Sequence, residues 1–366
     1  MNFRSIYIHV PFCLAKCTYC DFLSFPLENN DQMEVYVQAL LAEIASAKIE
    51  STIDTVYIGG GTPTALPSFL LCRILNAVCA LPLAANAEIT VEANPGTLNP
   101  AYLQAINAHG ANRLSLGLQT TQPHLLRTLG RVHSWEDFLQ NYHAAKAAGF
   151  DNINVDLMFA NPGQTIENWH ETLEEIIALS PQHISAYSLT PAEGTPLWDA
   201  IASDTIHLPS DEIDREMYHH ARGRLAQAGY IHYEISNFAK PGFESRHNIN
   251  CWRRVPYIGF GLGAHSFDGK GRWHNIEDIK RYVSTAPHTI DKKSLQTLTE
   301  SEAMCESIIL GLRLMRGIPE ANIPGCHENT TQRLVAEGLL SRTQHGRICL
   351  TPKGMDLANR VFAGFL

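Results

Sequence analysis

The sequence predicts an α/β protein, a partial (β/α)6 barrel with a C-terminal helical, winged-helix-like domain. Three observations carry this reading. Six short β-branched runs each end abruptly in polar or glycine residues. Amphipathic stretches of helical length separate them. After about residue 200 the alternation breaks, and a helix-rich piece closes the chain.

In chain order the runs are "RSIYIHV" (4–10), "DTVYIGG" (54–60), "EITVEA" (88–93), "NRLSLGLQ" (112–119), "NINVDLMF" (152–159) and "HISAYSLT" (183–190). Between them, 31–48, 68–81 and 167–180 have the apolar spacing of helices packed on one face. Strand–helix alternation implies parallel pairing, because each crossover must return the chain to the same sheet end. At roughly 35 residues per unit the chain holds six such units, not the eight of a closed barrel. Segment 209–229 reads as a helix capped by Ser210, and "YIHYEISNFA" as a seventh strand. From 291 to 366 the expected order is three helices and then a hairpin, a recognition-like helix beside a short wing. The domains are thus expected at 1–236 (barrel), 237–290 (a Gly-, Asn- and aromatic-rich connecting segment) and 291–366.

The balance of 28 basic and 37 acidic residues gives a net charge of −9, which argues against a nucleic-acid partner even for a winged-helix-like piece. No apolar run approaches the ~20 residues of an integral membrane segment. The apolar start "IYIHVPFC" alternates and ends in cysteines, unlike a signal peptide. The nine cysteines are odd in number and scattered, so they are no disulfide framework, and a reducing, cytoplasmic setting is expected.

Three of those cysteines crowd into "CLAKCTYC": Cys13, Cys17 and Cys20, spaced C-x3-C-x2-C in the loop after the first strand. Structural zinc takes four closed ligands, and an ordinary 4Fe–4S cluster four thiolates. Position 22, where a further thiol would stand, is Phe22. Three thiolates leave one iron with an open position, the mark of a reactive metal site.

The motif resembles the signature of the radical S-adenosylmethionine (SAM) superfamily, whose members hold a 4Fe–4S cluster by three Cys while SAM chelates the fourth iron. The resemblance implies Cys13, Cys17 and Cys20 as metal ligands. It also implies cofactor contacts from Tyr7 and Tyr19 and from the strand ends: Gly60, Gly61 and Thr62 in "GGGTP", Glu92 in "VEANP", Gln119 in "SLGLQ", Arg131 in "LGRVHS" and Asp156 in "NVDLMF". Glycines let the backbone approach a ligand, a carboxylate can accept both ribose hydroxyls, and Arg can pair with the methionine carboxylate.

The whole series, ending in "YEISNFAKPG" and "ESRHNINCW", is similar to the oxygen-independent coproporphyrinogen III oxidase-like family, and within it to the heme chaperone (HemW) branch. The oxidase branch carries an extra cysteine where Phe22 stands and a longer segment before the first strand. Both departures favour the chaperone. That branch carries H-N-x-x-Y-W; this chain has "HNINCW", with His247, Asn248, Cys251 and Trp252. The resemblance implies a protein that binds heme, 4Fe–4S and SAM, and passes heme to an acceptor, such as a respiratory protein. The alternative is an oxygen-independent coproporphyrinogen III oxidase, or another radical SAM enzyme. His247 and Cys251 are both open as the heme ligand, since imidazole and thiolate are each known axial donors. "FANPGQT" departs from the family's G-L-P-G-Q-T at Asn161, beside the expected SAM pocket.

Overall fold

The computed structural model describes residues 2–26 and 30–366. Strand β1 (Ser5–Val10) leads into two short strands, β2 (Phe12–Cys13) and β3 (Phe25–Pro26), which pair in parallel and bracket the cysteine loop. Strands and helices then alternate: α1 (Asn30–Ser46), β4 (Ile53–Gly60), α2 (Ser68–Cys79), β5 (Leu83–Ala93), α3 (Pro100–Ala108) and β6 (Arg113–Gln119). The series continues through α4 (Pro123–Thr128), α5 (Trp135–Ala147), β7 (Ile153–Phe159), α6 (Ile166–Leu179), β8 (His183–Ser188) and α7 (Pro196–Ala202). The six runs read from sequence are β1, β4, β5, β6, β7 and β8, neighbours in that order and all parallel.

Alternation along each strand decides what the barrel encloses. In β6, Leu114, Leu116 and Leu118 join the hydrophobic core, while Arg113, Ser115 and Gln119 lie on the opposite face. That inner face is polar throughout: Ser115 bonds Asp156 of β7, and Tyr187 of β8 bonds Gln119. Leucines of one face therefore fix the strand, and the other face is free to carry chemistry.

Helix α8 (Asp211–Gln227) is capped as expected, Ser210 accepting from the Ile213 N–H. "YIHYEISNFA" is not one strand. It folds as an antiparallel hairpin, β9 (Ile231–Glu234) and β10 (Asn237–Ala239), because Ile235 and Ser236 turn the chain back and β10 pairs with β8. The seventh parallel strand is β11 (Tyr257–Phe260), after α9 (Arg246–Trp252), and it pairs with β1 at the other edge. Strands β12 (His265–Phe267), β13 (Gly271–His274) and, after α10 (Ile279–Thr285), β14 (Gln296–Thr297) extend that edge antiparallel. Among the described residues the sheet thus has 12 strands, and β10 and β11, on either side of α9, join it at opposite ends of the parallel array.

The C-terminal piece holds α11 (Glu300–Leu312), β15 (Ile318–Pro319), α12 (Glu328–Ala336), β16 (Leu340–Arg342), β17 (Arg347–Leu350), α13 (Pro352–Asp356) and α14 (Ala358–Ala363). A helix followed by a small wing is present in α12 and the β16–β17 hairpin. The expected order is corrected, however: the hairpin precedes the last helices. "RICLTPKGMDLANRVF" begins as a strand because Ile348 and Leu350 alternate with polar residues and find partners on both sides. Among the described residues no helix is long and apolar enough to cross a membrane.

Candidate functional site

The carboxyl ends of the parallel strands surround a cavity of about 270 Å³. Its walls hold Cys13, Cys17 and Cys20 from the loop after β1, Gly60, Gly61 and Thr62 after β4, Glu92 from β5, Gln119 from β6, Arg131 and Asp156. Tyr19 is there too. The cysteine loop is pinned from three sides. The β2–β3 pairing closes its base, the Thr18 N–H donates to the Leu129 carbonyl (3.1 Å), and Lys16 Nζ donates to the Phe22 and Ser24 carbonyls. Thr62 Oγ1 reaches Cys13 Sγ (3.7 Å) and Arg131 Nη1 reaches Cys17 Sγ (3.5 Å). Burial raises the Cys13 and Cys20 thiols above their ordinary pKa, and the neighbouring sulfurs add to the shift.

The polar wall is tied together before any ligand arrives. Tyr57 Oη donates to Glu92 Oε1 (2.6 Å), and the Gly60 N–H to Glu92 Oε2 (3.2 Å). Burial and the facing Asp156 push the Glu92 carboxyl up to about 7, although the Tyr57 bond opposes them. Burial likewise raises Asp156, whose oxygens accept from Ser115 Oγ (3.2 Å) and Asn154 Nδ2 (2.8 Å). Arg131 donates to Asn94 Oδ1 (2.7 Å) and to the Gly117 carbonyl, and its buried Nε has no partner among the described residues. The glycines of "GGGTP" answer to the protein's own groups. A Cβ on Gly59 would lie 2.7 Å from Glu92 Oε2, one on Gly60 (φ +111°) 2.6 Å from the His9 ring, and one on Gly61 2.7 Å from the Phe12 carbonyl oxygen.

Tyr7 and His247 lie elsewhere, in a second cavity of about 420 Å³ on the β1–β11 side, with Cys251, Tyr257 and His265. Phe22, 63% exposed, lines both cavities. Tyr57 lines the first and packs its ring on His247 (centroids 5.1 Å apart). Tyr7 bonds His9 Nδ1 (3.0 Å) and stacks near Tyr57. His247 sits at the start of α9, whose cap Ser245 accepts from the Asn248 N–H, and Glu88 accepts the His247 N–H (3.0 Å).

Residues 7–176 match the model of the Radical SAM superfamily. Over 371 residues the chain is 35% identical to the heme chaperone HemW of Lactococcus lactis, covering 99% of this chain and 97% of that one. It is 33% identical to HemW of Bacillus subtilis (99% of each chain) and 38% to HemW of Escherichia coli (71% and 69%). The chain belongs to the HemW family of radical SAM proteins. The solved coproporphyrinogen III oxidase (HemN) of E. coli, a radical SAM enzyme, superposes with a TM-score of 0.84 at 23% identity over 100% of this chain and 90% of that one, and so shares the fold.

Family membership implies dependence on SAM and a 4Fe–4S cluster. Among the described residues no three His, Cys, Asp or Glu side chains converge to hold a metal ion. The donor chemistry nevertheless fits a three-thiol cluster: three sulfurs open on one cavity, beside a buried cation with an unpartnered Nε–H. Of the residues expected to meet a cofactor, all except Tyr7 and His247 line that cavity. Asn161 does not: its amide donates to the Met158 carbonyl (2.7 Å) and holds the turn after β7. Tyr57, Asn94, Ser115 and Tyr187 also line the cavity and were not singled out from sequence. The signal for three of them was available: Tyr57, Ser115 and Tyr187 occupy inward positions of strands whose other face is aliphatic.

Proposed function

We propose that this chain is a heme chaperone, which binds heme beside a SAM-ligated 4Fe–4S cluster and passes the heme to an acceptor, such as a respiratory protein. Cys13, Cys17 and Cys20 hold the cluster, which when bound supplies an open iron for the amino and carboxylate groups of SAM. Around it the chain's own groups position the nucleoside. Asp156 and Glu92 present buried carboxyl oxygens, Gln119 and Arg131 offer donors, and Tyr19 closes the loop side.

The observation that carries the heme reading is the state of His247. Burial holds this imidazole down to about 3, so it is neutral at any physiological pH. Thr55 Oγ1 donates its hydrogen to Ser5 Oγ (2.9 Å), so toward His247 Nδ1 (3.0 Å) it can only accept. Nδ1 therefore carries the proton and Nε2 keeps its lone pair, the arrangement in which a hydroxyl behind the ring orients a metal-ligating histidine. Cys251 is the poorer donor. Burial pushes its thiol up to about 11, which keeps it protonated at neutral pH.

Hemin titration tests this directly. His247→Ala is expected to weaken binding by roughly tenfold or more, and Cys251→Ser to leave it nearly unchanged. Equal affinity in both variants and in the double variant would remove the site. Coproporphyrinogen III supplied with SAM and reductant to the same preparation should yield no decarboxylated product; turnover there would favour the oxidase.

A further inference from the structure

Deeper in the barrel than the first cavity lies a chamber of about 170 Å³, and it holds a cation that the protein leaves unpaired. Arg113, at the start of β6, lines it with Asn154 and Asp156 of β7, Ser185 of β8 and Asn248 of α9. Tyr57, Ser115, Asp156 and Tyr187 line this chamber and the first cavity alike, so the two adjoin. Arg113 is 2% exposed. Among the described residues its guanidinium makes no hydrogen bond and no ion pair, and its Nε is buried without a partner.

The sheet register shows why no carboxylate answers it. Thr90 of β5 pairs with Arg113, and Glu88 and Glu92 flank Thr90 on the same strand face. Glu92 is taken by Tyr57 Oη and the Gly60 N–H, and Glu88 by the Arg246 and His247 N–H groups. Asp156, in the chamber's own wall, accepts from Ser115 and Asn154. Burial raises its pKa, and its hydrogen-bond partners oppose that shift more than Arg113 does. A second donor in the chamber is also unengaged. The Asn248 side chain makes no hydrogen bond among the described residues; only its backbone N–H is used, by Ser245. Burying a charge without a partner is costly, so such a group is expected where a ligand supplies the missing one.

We infer that the chamber is a binding site for a compact monocarboxylate, held by Arg113 and Asn248 inside the barrel. The inference goes beyond the heme reading and does not rest on His247. A carboxylate suits the guanidinium because its two oxygens can meet two N–H donors in one plane. The Asn248 amide adds a further N–H. One negative charge is the limit, since Asp156 in the wall repels a second. The acid binds as an intact ion and reaches the chamber from the first cavity.

Equilibrium dialysis of radiolabelled acetate against the full, cluster-loaded chain tests the site. A single acetate per chain is expected to bind saturably. Arg113→Gln should fold, because it removes an unpaired buried charge, and should weaken acetate binding by roughly tenfold or more. Arg113→Lys keeps the charge but loses the fork, and should retain part of the affinity; Asn248→Ala should lose less than Arg113→Gln. Acetate should raise the thermal midpoint of the wild type and leave that of Arg113→Gln unmoved. No saturable binding to the wild type would leave the chamber to water and overturn the site. Affinity unchanged in Arg113→Gln would place acetate elsewhere, such as on the open iron, and overturn it equally. Should Arg113→Gln fail to fold, unchanged affinity in both Arg113→Lys and Asn248→Ala would do the same.

Discussion

The cavities on either side of Phe22 are built by different means. The first stands on the ends of six parallel strands, and its side chains bond one another across strands: Tyr57 to Glu92, Tyr187 to Gln119, Arg131 to Asn94. The second lies where the antiparallel strands β11 and β12 join β1, and the turn between those two strands is secured from outside. There Glu43 of α1 accepts from the Gly261 N–H (3.0 Å), Tyr282 Oη (2.6 Å), Asn275 Nδ2 (2.6 Å) and Thr289 Oγ1 (2.7 Å). Both cavities use a buried carboxylate. Among the described residues Glu43 has four donors, whereas Glu92 has two and lines the first cavity. The first arrangement keeps polar groups aimed in advance into its cavity; the second sets His247, held neutral by burial, among Tyr7, Tyr257, Phe22 and Leu23.

Breaking each cavity should therefore leave the other standing. The largest effect is expected from Cys17→Ser, or from the triple variant of Cys13, Cys17 and Cys20. Iron and sulfide analysis of anaerobically prepared protein should show essentially complete loss of the cluster, with hemin affinity retained. Full iron content in the triple variant would refute the ligand set.

Glu43→Ala strands four donors that water reaches poorly, and about 4 kcal/mol of stability should be lost in denaturant unfolding. Hemin binding should fall with it and SAM binding should not. Equal loss of both ligands would mean that the two cavities are one mechanical unit.

Glu92 sharpens the contrast through pH. Its carboxyl stands at about 7 in the fold against an ordinary 4.5, so folding favours the protonated form. That contribution is complete below about pH 4.5 and is lost as pH rises through about 7. In ligand-free protein, Glu92→Gln should remove a decline of about 2 kcal/mol over this window, allowing for water in the cavity. Denaturation curves at pH 4.5, 6 and 7.5 read it; parallel curves for variant and wild type would place the carboxyl's titration elsewhere. Asp156→Ala should act on the ligand alone, costing about 1.5–3 kcal/mol of SAM affinity if a ribose hydroxyl bonds there. An unchanged SAM dissociation constant would move the ribose to another wall.

The first cavity was largely legible because its residues end strands that alternation makes visible. Glu92 follows Val91 and Gln119 follows Leu118 in this way, whereas Asp156 stands in the middle of β7 rather than at its end and Arg131 in the loop after α4. The second was not legible. "YIGF" is four residues long, too short for its period to show, yet as β11 it pairs with β1 and brings the floor of the cavity to Tyr7. "YIHYEISNFA" has continuous strand composition, and only the β8 edge decides that its second half turns back to pair. The terminal "RICL" became a wing strand because β15 and β16 flank it, a choice its own residues do not express.

The sequence by itself determined the parallel array, the three-thiol loop and the polar ends around it, since strand period and thiol spacing are local properties of the chain. Only tertiary structure decided that Tyr7 and His247 leave the first cavity for a second, that Phe22 stands between the two, and that burial holds the His247 imidazole neutral and the Cys251 thiol protonated. Those outcomes depend on what burial does to an imidazole and a thiol, and on a hydroxyl from β4 meeting a ring 192 residues further along the chain. Neighbours that distant in sequence leave no periodic trace in either segment.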